Sequence, residues 1–180
     1  MFGRALNSAK TQNPKPKTES RKLPTMSHHK HQFCTFYVDD LFLGINVQQV
    51  QEVIRYQEMT RVPLAPVAIR GLINLRGQIV TAIDLRCWLG MPLRDPQELP
   101  MNVIVRDGSN AVSLLVDRIG DVIEVDDELF ESPPATVRAS VRGLIQGAYK
   151  LSDRLLLVLD TRRALAECDS RSSPNGRIAS

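Results

Sequence analysis

The chain has 180 residues, of which 43% are apolar, so it can form one domain or two small lobes that share a core. The net charge of +3 is unevenly placed: residues 1–32 carry seven Lys or Arg and one Glu, whereas residues 33–168 carry 14 Lys or Arg and 18 Asp or Glu. An acidic body does not indicate a basic groove for nucleic acid. The three cysteines are far apart with no CxxC pair, which argues against a secreted disulfide scaffold, and no apolar run is long enough for a signal peptide or a transmembrane helix. We therefore expect a cytoplasmic protein.

Both ends of the chain are predicted to be disordered. Residues 1–32 are rich in Lys, Ser, Thr, Asn and Pro, and residues 169–180 have a similar composition. The basic first tail could tether the protein to anionic lipid or nucleic acid, but its charges are dispersed, which favours a solvated terminus.

The first half of the body begins with short strands. Residues 33–38 are aromatic and β-favouring, and they form a predicted hairpin with residues 41–46. Val47, Val50, Val53 and Ile54 have helical spacing, which predicts a short helix. Pro63 and Pro66 then interrupt any regular element.

A second hairpin follows in the first half. Residues 71–75 and 78–83 flank Arg76-Gly77, which is typical of a tight turn. Asp84 stands where the N-cap of a helix over residues 85–89 would be.

The second half repeats this organisation. Residues 102–106 and 111–116 are joined by Asp107-Gly108, a strong hairpin signal, and another strand is predicted over residues 120–125. A last hairpin is predicted from residues 141–149 and 155–159, after which Asp160 would cap a helix that ends near Cys168.

The chain also contains an internal repeat. Arg70-Gly71-Leu72-Ile73 reappears as Arg142-Gly143-Leu144-Ile145, and the flanking segments match at separations of 69 and 76 residues. Such a period suits a duplicated small domain rather than a solenoid. We therefore predict a mainly β protein with lobes at about 33–98 and 99–168, with exchange of strands between the lobes left open.

The sequence holds no set of residues that indicates catalysis. Its three histidines lie in the predicted N-terminal tail, and no glycine-rich phosphate loop is present. Asp84 and Asp160 could act as a carboxylate pair, but each position is explained by helix capping. The acidic stretch from Asp117 to Glu128 has the length of a calcium loop without its ligand pattern, so we interpret it as a solvated acidic edge. We expect no metal site and no cofactor.

Glu52 and Arg76 are the two charged residues that stand out. Arg76 lies at the tip of an apolar hairpin, and Glu52 lies among apolar residues. Arg76 could simply be solvated, or it could form an ion pair with Glu52 that holds the predicted helix against the hairpin.

Several blocks in order resemble the signature of the CheW family, the coupling scaffolds of bacterial chemotaxis arrays. They are residues 50–54, Thr60-Arg61-Val62-Pro63, residues 69–80 with Arg-Gly-Leu-Ile-Asn-Leu-Arg-Gly, and Ile83-Asp84-Leu85-Arg86, and the resemblance covers about residues 33–167. It implies two five-stranded SH3-like β-barrels related by a pseudo-twofold axis, with short helices and a C-terminal helix.

The resemblance also implies a role and partners. The chain would be a non-catalytic adaptor between the signalling tip of methyl-accepting chemoreceptors and the regulatory domain of the histidine kinase CheA, and it could join other CheW-like molecules in rings. It would work in the cytoplasm, at membrane-associated receptor arrays, without inserting into the membrane.

The family pattern assigns site residues position by position. Glu52 and Arg76 match the family's ion pair, and the expected receptor-binding residues are Val50, Glu52, Ile54, Gly71, Asn74, Leu75 and Arg76. The expected kinase-binding residues are Gln78, Asp107 and Gly108. A nucleic-acid-binding pair of small barrels is the alternative, which the acidic body and the low aromatic content of 5% disfavour.

Overall fold

The computed structural model describes residues 30–107, 110–163 and 166. Over these residues the chain is mainly β, as predicted, with two short α-helices and with residues 161–163 and 166 also helical. The first part holds β1 Lys30–Val38, β2 Leu41–Asn46, β3 Val50–Ile54, β4 Ile69–Leu75, β5 Gln78–Asp84 and α1 Leu85–Trp88. The second part holds β6 Met101–Asp107, β7 Asn110–Val116, β8 Arg118–Asp126, β9 Phe130–Glu131, α2 Ala139–Arg142, β10 Ile145–Lys150 and β11 Leu155–Leu159.

The strands form two sheets, each the basis of one lobe. The five-stranded sheet has the order β3-β6-β7-β5-β4 and is built from residues 50–116, which we call the central lobe. The six-stranded sheet has the order β8-β1-β2-β11-β10-β9 and combines residues 30–46 with residues 118–159, which we call the terminal lobe.

The two sheets share one strand order. β3, β6, β7, β5 and β4 of the central lobe correspond to β8, β1, β2, β11 and β10 of the terminal lobe. The parallel pairing is also common to both, since β5 runs parallel to β7 and β11 runs parallel to β2. The terminal lobe is therefore a circularly permuted copy of the central lobe, with two strands supplied by the start of the chain.

This topology differs from the predicted lobe boundaries of 33–98 and 99–168. β1 and β2 complete the sheet of the terminal lobe, whereas β6 and β7 stay with the central lobe. The two lobes exchange strands because β11 pairs in parallel with β2, at Leu157 and Leu43, and not with a strand from its own half of the chain.

The structural repeat has a different register from the repeated tetrapeptide. Gly71 pairs with Ala82 after a bulge, and it is Gly147 that pairs with Val158 after an equivalent bulge. Gly143, its partner in the sequence repeat, instead follows α2 as its C-cap. The predicted strand over residues 141–149 was thus wrong at its start, because the chain is helical up to Arg142 and extended only from Ile145.

The short helix predicted from Val47 to Ile54 was wrong over most of its length: Val47–Gln49 form a single 3₁₀ turn, and Val50–Ile54 form β3. The pairing of β3 with β6 contains a register shift between Val50 and Glu52. A bulge of this kind adds one residue to a strand, so the apolar side chains no longer alternate regularly and their spacing resembles that of a helix.

The predicted tails are largely outside the described residues, with one exception. Residues 30–32 of the predicted N-terminal tail belong to β1, where Lys30 pairs with Asp126 of β8. The Nζ of Lys30 also lies 2.7 Å from Oε1 of Glu124, so the pairing extends beyond the predicted strand start at residue 33. Residues 1–29, 167–180 and the predicted end of the last helix at Cys168 lie outside the described part of the chain.

Among the described residues, three apolar clusters hold the fold together. The largest contains Phe36, Leu43 and Ile45 of the terminal lobe together with Ile83, Val103 and Leu114 of the central lobe, all fully buried. Each lobe also has a small core of its own, around Ile73 and Val80 in the central lobe and around Tyr149 and Leu156 in the terminal lobe. The shared cluster therefore packs the two lobes against each other.

Candidate functional site

The β4–β5 hairpin has a tight turn that projects Arg76. Arg76 and Gly77 both have positive φ, at 51° and 89°, as the turns that match the twist of a hairpin require. Oδ1 of Asn74 accepts a hydrogen bond of 2.8 Å from the backbone nitrogen of Gly77. An arginine in a left-handed conformation is uncommon, so the turn holds Arg76 at some conformational cost.

Arg76 connects the two edges of the central sheet. Its Nη2 donates to Oε2 of Glu52 at 2.9 Å, and Glu52 lies on β3, at the opposite end of the strand order from β4. The Glu52 side chain is 19% exposed and that of Arg76 is 82% exposed. The pair therefore links β3, one edge of the central sheet, to the hairpin that contains β4, the other edge, so the two edges approach each other as in a barrel.

A second contact closes the same barrel a few residues away. Thr60, on the chain that follows β3, forms a backbone bridge with Leu72 of β4, with N–O distances of 2.9 and 2.8 Å. This chain crosses directly over Gly71: a Cβ atom at Gly71 would lie 2.6 Å from the carbonyl oxygen of Thr60. The position needs glycine because backbone passes where a side chain would be.

The expected receptor-binding residues cluster at this closure, but at different depths. Glu52, Asn74 and Arg76 have accessible side chains, whereas Gly71 and Leu75 are buried. Val50 packs against the shared core and Ile54 against the core of the central lobe, and both remain partly exposed. Gly71 and Leu75 therefore support this surface from beneath.

Two of the three expected kinase-binding residues, Gln78 and Asp107, lie at one end of the central sheet. β5 and β7 run parallel, so Gln78 at the start of β5 lies at the same end as the connection between β6 and β7. Asp107 is the last residue of β6, and Gly108 lies outside the described residues.

Comparisons with known proteins agree on one family. The CheW-like domain pattern matches residues 32–168. The chain belongs to the CheW family. It is 33% identical to the chemotaxis protein CheW of Bacillus subtilis over 77% of this chain and 88% of that protein, and 25% identical to the probable chemotaxis protein CheW of Rhizobium etli over 86% and 99%. The crystal structure of the scaffolding protein TtCheW from Thermoanaerobacter tengcongensis matches 76% of this chain and 88% of that one, with a TM-score of 0.66 and 26% identity.

The CheW family consists of scaffold adaptors rather than enzymes, in agreement with the reading of the sequence. Among the described residues, His, Cys, Asp and Glu side chains form no group of three or more that could hold a metal ion. None of the helices in the described part of the chain has the length and apolar character needed to cross a membrane.

The two helix-capping aspartates of this CheW-family chain have equivalent positions. Oδ1 of Asp84 accepts from the backbone nitrogen of Arg86 at 3.0 Å at the start of α1. Oδ1 of Asp160 accepts from the backbone nitrogen of Arg163 at 3.1 Å, in the helical residues that follow β11. These contacts account for both carboxylates without any catalytic role.

A buried ionic cluster surrounds Asp117, so the prediction that Asp117 belongs to a solvated acidic edge was wrong. Asp117 lies between β7 and β8, where the chain passes from the central to the terminal lobe. Nε of Arg86 lies 2.9 and 2.8 Å from its two carboxylate oxygens, and Nη2 of Arg94 lies 2.6 Å from Oδ1. All three side chains are largely buried. The partners are 31 and 23 residues away in sequence, so no local pattern could reveal them.

The cluster also reaches the β1–β2 hairpin. The backbone nitrogen of Asp39 donates to Oδ2 of Asp117 at 2.7 Å, and the backbone nitrogen of Asp117 donates to the carbonyl of Tyr37 at 3.0 Å. Burial opposes ionisation of Asp117, but the hydrogen bonds from Arg86, from the Asp39 backbone and from Arg94 outweigh it and hold the pKa of the carboxyl below its usual value. The ionised Asp117 thus ties both lobes together at their junction.

Proposed function

We propose that this chain is the coupling adaptor of a chemosensory signalling array, where it binds the signalling tip of a chemoreceptor and the regulatory domain of the kinase CheA. The observation that carries the proposal is the match to the CheW-like domain across residues 32–168. The relatives named as chemotaxis proteins support a role in chemotaxis or related motility.

The receptor would dock at the closure of the central lobe. Partly exposed Val50 and Ile54 offer apolar area, and Glu52, Asn74 and Arg76 supply polar groups beside it. A helical receptor tip could lay an apolar face on such a surface while its polar residues contact the ion pair. Gly71 and Leu75 would fix the shape of the surface from below.

The kinase would dock at the end of the central sheet that contains Gln78 and Asp107, and Gly108 is the third residue proposed to bind it. Because the hairpin with Arg76 lies at the same end as Gln78, receptor and kinase would occupy neighbouring surfaces. A scaffold that binds both at once can hold them in a fixed relative position, and like faces can alternate in a closed ring. The chain would then reside at membrane-associated receptor arrays through its partners.

Pull-down of the full chain with a chemoreceptor signalling fragment and with CheA tests the proposal. We expect both to bind, and we expect Arg76→Ala to weaken receptor binding with the barrels still folded. Arg162→Ala is the matched control, because Arg162 is an exposed arginine on the helical residues of the other lobe. Failure of the unaltered chain to bind either partner would refute the proposed function, and equal binding by the Arg76 variant would refute the receptor surface alone.

A further inference from the structure

A groove of about 600 Å³ lies at the base of the β4–β5 hairpin, away from the closure with Arg76. One wall is the connection between β3 and β4, with Arg61, Val62 and Val67. The other wall is the connection between α1 and β6, with Leu93, Glu98 and Leu99. β4 has seven residues, so the groove and the hairpin tip are separated by roughly 20 Å at the usual rise per strand residue.

Leu64 beside the groove is both strained and fully exposed. It has a φ of 60° and follows Pro63 in a turn in which the nitrogen of Ala65 donates to the carbonyl of Val62 at 3.4 Å. A turn with proline second and a positive φ third normally has glycine or asparagine at the third position. A leucine there gains nothing from packing within its own chain, since its relative exposure is 105%. Such a violation of local preference points to a role outside the monomer.

Apolar side chains are exposed on both walls. Val62 and Val67 project from the first wall, and Leu93 and Leu99 from the second, each at least one-third exposed. A concentration of large apolar residues around a groove is typical of an interaction site.

The two walls carry charges of opposite sign. The first wall has the exposed Arg61, with the exposed Arg70 of β4 beside it, and the second wall has the exposed Asp95 and Glu98. Arg94 of the second wall turns inward to Asp117 and does not offset these acids. Within the described part of the chain neither Arg61 nor Glu98 forms an ion pair, so both charges are available to a partner.

We infer that this groove is a self-association surface in which two copies of the chain meet about a twofold axis running along the groove. That rotation brings the basic wall of each copy against the acidic wall of the other. The dimer therefore contains two equivalent contacts between oppositely charged walls. The rotation also brings Leu64 of one copy to the wall with Leu93 and Leu99 of its partner. Because both grooves are used, the dimer adds no further copies through this surface. It leaves the Arg76 surface free on both copies, so it goes beyond the proposed adaptor role by linking two adaptors.

The test is the mass of the full chain in solution as a function of concentration, by sedimentation velocity and light scattering. We expect a monomer–dimer equilibrium. Leu64→Asn should raise the dissociation constant by about tenfold or more, because it removes an apolar contact with the partner copy. This variant suits the positive φ, so it should not impair folding. Val122→Asp is the matched control, since Val122 is an exposed apolar residue of the terminal lobe and should leave the dimer unchanged.

Charge reversal tests the predicted apposition of the walls. Arg61→Glu and Glu98→Arg should each weaken the dimer, and the double variant should restore it, because the opposite charges then face each other again. A chain that stays monomeric up to about 1 mM would overturn the inference. So would self-association that is unaffected by Leu64→Asn, or the absence of rescue in the double variant. Receptor and kinase binding measured on the same variants separates this result from the proposed adaptor function.

Discussion

Arg86 on α1 binds the carboxylate of Asp117 through two nitrogens, Nε at 2.8 Å and Nη2 at 2.7 Å from Oδ2. Asp117 occupies the single residue between β7 and β8, so this contact anchors the crossing from the central to the terminal lobe. Arg94 approaches the same carboxylate from the other side, and its Nη1 lies 3.8 Å from Oδ2 of Asp84. Two buried guanidinium groups therefore share one carboxylate as their main counter-charge at the junction.

Asp117→Asn is expected to destabilise the protein by on the order of 3 kcal/mol, because it leaves two buried arginines without their main counter-charge. The free energy of unfolding from a urea titration measures this change. Asp153→Asn is the matched control: Asp153 forms an exposed pair with the adjacent Arg154, so its variant should leave the midpoint unchanged. Equal midpoints for the Asp117 variant and the unaltered chain would contradict the structural role of the cluster.

The same carboxylate predicts a dependence of stability on pH. The folded-state pKa of Asp117 is lowered, so its contribution is present above the ordinary pKa of 3.8 and is lost as the pH falls through the folded value. Arg86 and Arg94 stay charged throughout this range, and Asp39 and Asp84 are the other carboxylates that face them. The free energy of unfolding should fall between about pH 5 and pH 2, and more steeply in the unaltered chain than in Asp117→Asn. Parallel curves for the two proteins would assign the acid sensitivity to other groups.

The glycines of the two lobes offer a test of the structural register. A Cβ at Gly71 would lie 2.6 Å from the carbonyl oxygen of Thr60, and one at Gly147 would lie 2.7 Å from that of Glu131. Both Gly→Ala variants should lose about 1 to 3 kcal/mol, since backbone must move to make room. Gly143→Ala should be neutral or slightly stabilising, because its nearest neighbour is 3.9 Å away and its φ is −62°. Thermal or urea unfolding of the three variants would rank their losses of stability. A large loss of stability in the Gly143 variant would contradict the register.

Arg76→Ala should have little effect on stability. The Arg76 side chain is 82% exposed, so its pair with Glu52 is worth no more than about 1 kcal/mol. The variant also removes a long side chain from a left-handed turn position without improving its backbone preference. We expect a nearly unchanged free energy of unfolding together with weaker receptor binding. A large loss of stability would show that the ion pair stabilises the central lobe instead of binding a partner.

The cysteines should differ in reactivity according to their burial. Burial raises the pKa of the Cys34 thiol, and burial followed by the Asp84 carboxylate raises the pKa of the Cys87 thiol. Cys34 is the more buried of the two, on β1. In a Cys168→Ser background, iodoacetamide should label Cys87 before Cys34, and peptide mapping by mass spectrometry gives the order. Faster labelling of Cys34 would indicate opening of β1 from its neighbours.

Most hairpins and both helix caps were predictable because their signals are local. Arg76-Gly77 marked a tight turn between alternating apolar residues, and Asp84 and Asp160 each preceded a helical segment. β3 was not predictable in this way, because the bulge between Val50 and Glu52 shifts its apolar residues into helical spacing.

The register of the repeat and the ionic cluster depend on contacts that are distant in sequence. The tetrapeptide repeat aligned Gly71 with Gly143, whereas the strand pairing aligns it with Gly147, four residues later. β9 explains the glycine at that position: Glu131 pairs with Ala148 as Thr60 pairs with Leu72, so each lobe has a segment crossing over a glycine. Nothing in the sequence near Asp117 indicated that Arg86 and Arg94 would bury it.

The permuted terminal lobe has a consequence for synthesis on the ribosome. The β1–β2 hairpin is made first, yet one of its neighbours, β11, is made last. The central lobe is continuous in sequence and can pair all of its strands while the nascent chain is still growing. Until β11 is made, the edge of β2 that it will pair with stays unpaired. An exposed apolar strand edge of this kind can pair with strands of other chains. Late events in translation, such as premature termination before residue 155, would therefore release a chain whose central lobe is complete and whose opening hairpin is prone to aggregate.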